Sequence, residues 1–253
     1  MKTLRDIGLL FRRKFKETLR NPIYIVISLL TPVLYLVLFS PLLSKLTNLP
    51  GFGSGNLMNN FIPGLLVIVA FLNGLFVGYN MVDEVRNGVI ERFRVTPTSR
   101  FALLAGRVLR DMVNMLIIVN FFTLIAIPFG FQIHILGYLL FQVILCMVII
   151  TTSSFGNAMG LILKDEERLS PILQGINLPV LLLSGMLLPM ELAPKWLYYI
   201  AHINPAYYAV EAGRLLASGI ILDAKVGEAF LFLSILTILT VTWATHIFYR
   251  DIS

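Results

Sequence analysis

The residues that could make or break bonds are few and scattered. His134, His202 and His246 stand far apart and share no ligand spacing. Cys146 is the single cysteine and sits in an apolar run, so it forms no internal disulfide and no cysteine-based metal site; packing is its bland role. No glycine precedes a lysine, which removes the phosphate-cradling P-loop. Neither H-E-x-x-H nor G-x-S-x-G occurs, which removes the zinc-protease helix and the nucleophile elbow. No catalytic set and no metal site is expected, and an intramembrane enzyme is disfavoured. The polar residues of interest lie elsewhere, in a charged stretch at 83–112 and as neutral side chains within apolar runs. Of the latter, Tyr35, Asn73, Gln174, Asn177 and Ser184 are candidates to line a translocation path. Their more ordinary role is packing and interhelical hydrogen bonding.

The elements that must position these residues follow from hydropathy. The 253 residues are 57% hydrophobic and 13% charged, with a mean hydropathy of +0.84. A soluble domain carries about 25% charged residues, so too little polar surface remains to cover a water-soluble globule. The reading is an all-α polytopic membrane protein. Six runs reach the roughly 20 apolar residues that a crossing helix needs. They are residues 23–43, 61–82, 113–133, 136–163, 172–190 and 229–249, none with Asp, Glu, Lys or Arg. The runs are continuous and about twice a barrel strand's length, so an outer-membrane barrel is excluded. The fourth run, at 1.5 Å per residue, exceeds a hydrocarbon core of about 30 Å and should tilt or protrude. The first run follows a long basic segment and is too long for a cleaved signal.

Lysine and arginine sort by side. Residues 1–22, loop 83–112, the 164–168 turn and the tail together hold 16 of the 20, and the intervening loops hold four. The positive-inside rule then puts both termini in the cytoplasm. That asymmetry accounts for the basic pI near 9.5 without nucleic acid.

The remaining segments have shapes of their own. In 1–22, Leu4, Ile7, Phe11, Phe15 and Leu19 recur at helical spacing among basic residues, which predicts an interfacial amphipathic helix. Residues 23–253 form the transmembrane domain. In the 83–112 loop, a helix over 81–95 continues from the second span or restarts near Asn87-Gly88, Thr96-Pro97 ends it, and Ser99 caps the next helix. This loop offers Val89, Ile90, Phe93 and Val95 among charges, the pattern of a protein contact, although a solvated loop without a partner gives the same pattern. Residues 191–219 predict two short external helices that re-enter the outer leaflet, one after Pro194 with Trp196 on its face, and one after Asn204-Pro205 ending at Gly219. The aromatic cluster Trp196, Tyr198, Tyr199, Tyr207 and Tyr208 suits a membrane–water interface. Because no span carries Asp, Glu, Lys or Arg, ion-coupled transport is disfavoured, and the energy for uphill transport is expected from a partner.

Two stretches resemble the membrane subunits of type-2 ABC exporters, in the daunorubicin-resistance-type branch. One is DEVRNGVIERFRVTPTSR, which supplies Glu84, Gly88, Glu91, Arg92, Thr96 and Pro97 of an E-x-x-x-G-x-x-E-R-x-x-x-T-P pattern. The other spans residues 184–216 and supplies Pro189, Pro194, Trp196, Leu197, Asn204, Pro205 and Tyr208 of the family's external signature. The resemblance covers nearly the whole chain. It implies a permease in the plasma (cytoplasmic) membrane, working as a dimer of two copies or of two paralogues. It implies two copies of a separate ABC ATPase subunit, which would hold the ATP and Mg; this chain would hold no cofactor. The loop at Glu84, Gly88, Val89, Glu91, Arg92, Phe93, Arg94 and Pro97 would be the coupling helix docked on that ATPase. Pro189, Pro194, Trp196, Asn204, Pro205 and Tyr208 would form an external gate. Substrates in this branch are amphiphilic drugs, antibiotics or lipids, hence multidrug export and antibiotic resistance. The rivals are a lipid-linked glycan exporter and a secondary transporter or channel without an ATPase.

Overall fold

The structure is a computed structural model that describes residues 7–12, 15–16, 22–46, 57–94, 99–186, 190 and 193–252. Every regular element among the described residues is helical. In chain order they are α1 (Pro22–Leu46), α2 (Leu57–Arg86), α3 (Val89–Arg94), α4 (Arg100–Ala126), α5 (Ile135–Leu163), α6 (Glu166–Leu183), α7 (Lys195–Ala201), α8 (Pro205–Ala217) and α9 (Ala224–Ile252). Residues 7–12 ahead of α1 are also helical; Leu10 and the Ile7 carbonyl lie against Gly106 of α4. The rest of the expected interfacial helix falls largely outside the described residues.

The membrane architecture holds at the coarse level. Among the described residues, four helices are long and apolar enough to cross a bilayer: Met58–Arg86, Arg100–Phe129, Ile135–Leu163 and Ala224–Asp251. They correspond to the second, third, fourth and sixth of the expected runs. α1 is a 25-residue helix whose described apolar stretch is Leu29–Pro41. α6 has 18 residues, opens on Glu166 and Glu167 and stops at Leu183 instead of reaching residue 190. Pro171 and Pro179 each remove a backbone donor from it, and Gly185, at φ +74°, turns the chain away just beyond.

α4 begins at Arg100, directly after Ser99, where the sequence places the start of the helix that leads into the third run; its first turns carry Arg107, Arg110 and Asp111 ahead of the charge-free stretch from residue 113. These residues lower hydropathy but do not break a helix. They are tolerated because they are paired inside the helix set and kept off the lipid.

Without a hydrophobic drive between helices in lipid, close backbone approach holds such a set together. α2 and α5 show it. Gly74 and Gly78 face Gly156 and Gly160 across the crossing; a Cβ on Gly78 would stand 2.7 Å from the Gly156 oxygen, and one on Gly156 2.5 Å from the Leu75 oxygen. Around this contact Ile62, Leu65, Leu66 and Leu75 of α2 pack with Ile144, Leu145 and Val148 of α5. α5 meets α8 in the same way, Gly137 lying on the Leu216 carbonyl. A smaller core of Met81, Ile90, Leu103, Leu104, Ile247 and Phe248 sits where α2, α3, α4 and α9 converge.

Candidate functional site

At the convergence of α2, α3 and α4 the loop takes the shape the sequence suggests. α2 ends at Arg86, Asn87 and Gly88 turn, and α3 follows. Gly88 has φ +66°, a left-handed conformation that disfavours any side chain. Glu91 and Arg92 are exposed, as a docking face requires. Ile90 is not offered to a partner: it is buried among Met81, Leu103 and Phe248, and roots α3 in the helix set. Phe93 and Arg94 end α3, their side chains outside the described set, as are Val95, Thr96 and Pro97. Ser99 occupies the N-cap position of α4, but its hydroxyl makes no cap hydrogen bond.

The base of this loop is closed by buried charge. Arg107 Nη2 donates to Glu84 Oε2 at 2.5 Å, and Nη1 lies 2.6 Å from the Met81 sulfur. The guanidinium carbon stands 5.7 Å from the centre of the Phe248 ring, in cation–π range. One turn further along α4, Arg110 pairs with Asp111 at 2.6 Å, and Ser153 Oγ of α5 donates to Asp111 at 2.5 Å. Asn157 Nδ2 donates to the Ser153 carbonyl at 2.8 Å. A cavity of about 10 Å³ beside Asp111, lined also by Asn73 and Asn114, has room for about one water. On the rim, Arg86 meets Glu166 at 2.8 Å and joins α2 to the start of α6. The Glu84–Arg107 pair thus joins α2 to α4 beneath α3.

At the opposite end, α7 and α8 appear where Pro194 and Asn204-Pro205 predict them. Asn204 Oδ1 accepts from the Ala206 N–H at 3.0 Å and caps α8, while its Nδ2 donates to the Val180 carbonyl of α6 at 2.9 Å. Pro205 takes the first helical position, where its missing N–H costs nothing. Gly219, at φ +82°, closes α8. Tyr208 stacks on Phe232 of α9 with centroids 4.4 Å apart, and His202 and Tyr207 crowd its edges. Burial raises the Tyr208 phenol above its usual value, and the Glu228 and Tyr198 charges add to this, so the hydroxyl stays neutral. Trp196 and Pro194 are exposed; Pro189 lies outside the described residues.

Arg214 of α8 is more than the loop charge its place in the sequence suggests. Its Nη2 donates to the Gly185 carbonyl at 2.5 Å, its Nε to the Asn60 carbonyl of α2 at 3.1 Å, and its Nη1 to Glu211 at 3.1 Å. Lys225 Nζ of α9 bonds the other Glu211 oxygen at 3.1 Å. Glu211 and Arg214 lie three residues apart on a helix, and that spacing was the available signal. Asn59 completes the tie, donating to the Ala217 carbonyl at 2.9 Å and accepting from the Gln132 N–H at 3.0 Å.

The five candidate path residues do not form one wall by their hydrogen bonds. Asn73 donates to the Val69 carbonyl of its own helix and borders the small cavity at Asp111. Ser184 Oγ donates to the Leu181 carbonyl and accepts from the Met186 N–H, which shapes the turn after α6. Gln174 is exposed and Asn177 half-buried on α6; Tyr35 of α1 is exposed and stacks on Phe39 at 5.9 Å.

Sequence comparison agrees with this geometry. Residues 5–217 match the family described as ABC-2 type transporter. A putative transport permease, ycf38, of Cyanophora paradoxa is 30% identical over 221 residues, 85% of this chain and 75% of that protein. The daunorubicin resistance ABC transporter permease protein DrrB1 of Streptomyces coeruleorubidus is 24% identical over 200 residues, 78% of this chain and 70% of that one. The inner membrane transport permease YadH of Escherichia coli (strain K12) is 24% identical over 207 residues, 81% and 77% of the two chains. With apolar crossing helices and a family match over most of its length, the chain belongs to the ABC-2 type transporter family and is a transmembrane permease of an ABC transporter.

Proposed function

We propose that this permease exports amphiphilic compounds (a drug, antibiotic or lipid) from the cytoplasm, driven by two copies of a separate ABC ATPase subunit that bind the ATP and Mg. Two permease chains, identical or paralogous, would enclose the path in the plasma membrane, with both termini in the cytoplasm. ATP binding closes the two ATPase subunits; the groove of each moves α3 through Glu91, Arg92 and Phe93. Because Ile90 anchors α3 and the Glu84–Arg107 pair joins its two flanking helices, that motion passes into α2 and α4 instead of bending a slack loop. At the far end Asn204 and Arg214 carry it between α6, α8 and α2, where the external gate opens. Hydrolysis resets the path. The observation that carries the reading is an exposed acidic and basic helix face standing on a buried, charge-closed base.

The test uses the permease with its co-purified ATPase in vesicles. Replacing Glu91 and Phe93 by alanine should leave membrane insertion and assembly of the permease pair intact, weaken ATPase retention, and separate ATP hydrolysis from transport. Normal coupled export by this double variant removes the docking role of α3.

A further inference from the structure

On the flank of the helix set, α4, α5 and α9 leave a cavity of about 210 Å³. Leu104, Ala105 and Val108 of α4, Ile150 of α5 and Val241 of α9 give it apolar walls, and Ser154 is the polar residue lining it. Ser154 is fully buried, yet its Oγ has no hydrogen-bond partner. Its neighbours on α5 behave otherwise: Thr152 Oγ1 donates to the Val148 carbonyl at 2.9 Å and Asn157 Nδ2 to the Ser153 carbonyl at 2.8 Å. A buried donor left unmade is expensive, so the hydroxyl calls for an acceptor that arrives with a ligand.

Volume and depth say which ligand. An apolar cavity of about 150 Å³ takes up benzene; this larger one holds a substituted ring. Ser154 lies nine residues before the end of α5 at Leu163, about 14 Å along the axis at 1.5 Å per residue. A centred helix of this length leaves about 7 Å at each end beyond a hydrocarbon core of about 30 Å. The hydroxyl is therefore immersed in hydrocarbon, below the level of lipid headgroups and ester carbonyls. We propose that the cavity binds the ring of a membrane-dissolved amphiphile carrying a carbonyl or ether oxygen, which accepts the Ser154 hydroxyl hydrogen. The site is separate from the candidate path residues of α1 and α6. Its wall is the first half of α4, the helix that issues from the coupling loop, so its occupant bears directly on that helix. The inference requires only that the helices lie in a bilayer, and its test involves neither ATP nor export.

Benzophenone, two apolar rings and a carbonyl, serves as photoprobe on the full-length permease in nanodiscs. Labelling should saturate, map to the α4, α5 and α9 residues around the cavity, and disappear in Ala105→Phe, which fills it. Fluorenone should compete about fivefold better than fluorene, its shape-mate without the carbonyl, as one net hydrogen bond allows. Ser154→Ala, which barely changes volume, should erase that preference while labelling persists. Unsaturable labelling spread over the lipid-facing helices, labelling unchanged by Ala105→Phe, or a ketone preference that survives Ser154→Ala overturns the proposal. So does a phospholipid retained in the cavity and excluding the probe, read by native mass spectrometry.

Discussion

Arg107 is the side chain on which the base of the 83–112 loop depends. It and Glu84 are largely enclosed, so removing one partner strands the other charge away from water. Breaking a buried pair in this way costs about 3–5 kcal/mol. Arg107→Ala should therefore lower the thermal midpoint of the detergent-solubilised protein sharply, and Arg107→Lys should recover only part, since an ammonium lacks the planar fork. Arg86→Ala, which breaks the half-exposed pair with Glu166, should change the midpoint by less than about 1 kcal/mol. Equal midpoints for Arg107→Ala and Arg86→Ala would refute the structural role of the buried pair. The sequence made Gly88, Asn204 and Pro205 readable because each has a local backbone job: a left-handed turn, a helix cap, a first helical position. Arg107 and Arg214 were read only as loop charges, because their partners, Glu84 of α2 and the Asn60 and Gly185 carbonyls, come from elsewhere in the chain.

Among the elements, the glycine pairs of α2 and α5 give the sharpest contrast. Gly78→Leu should prevent the two helices from closing, because a side chain there meets the Gly156 backbone, which cannot yield. Gly175 on α6 has nothing within 4 Å of where a Cβ would sit. Gly175→Ala should be neutral or add up to about 1 kcal/mol through helix propensity. Fluorescence-detected size exclusion after heating separates the two; a monodisperse, heat-stable Gly78→Leu protein would contradict the crossing. Element boundaries were legible where hydropathy and backbone chemistry agree, as in α5, α8 and α9. At α4, Ser99 marks the start at Arg100 although the apolar run begins only at residue 113. Hydropathy fails at α6. It reads on past Leu183 because it does not register the turn at Ser184 and Gly185.

For the molecule as a whole, the placement of charge makes a topological prediction. In a Cys146→Ser background, Glu91→Cys should react with an impermeant maleimide only after cells are opened, and Trp196→Cys in intact cells. Both side chains are exposed, so failure to react would not reflect burial; the reverse labelling would invert the orientation. The same overall view divides the chain mechanically. Where the backbones of α2 and α5 touch at Gly74, Gly78, Gly156 and Gly160, neither helix can twist or withdraw without losing the whole seam at once. α8, seated on Gly137 and held by Arg214, is fastened to the same block. Motion passed into α2 must therefore carry α5 and α8 with it as one rigid piece, while α1 and the short, twice-proline-broken α6 lie outside the seam.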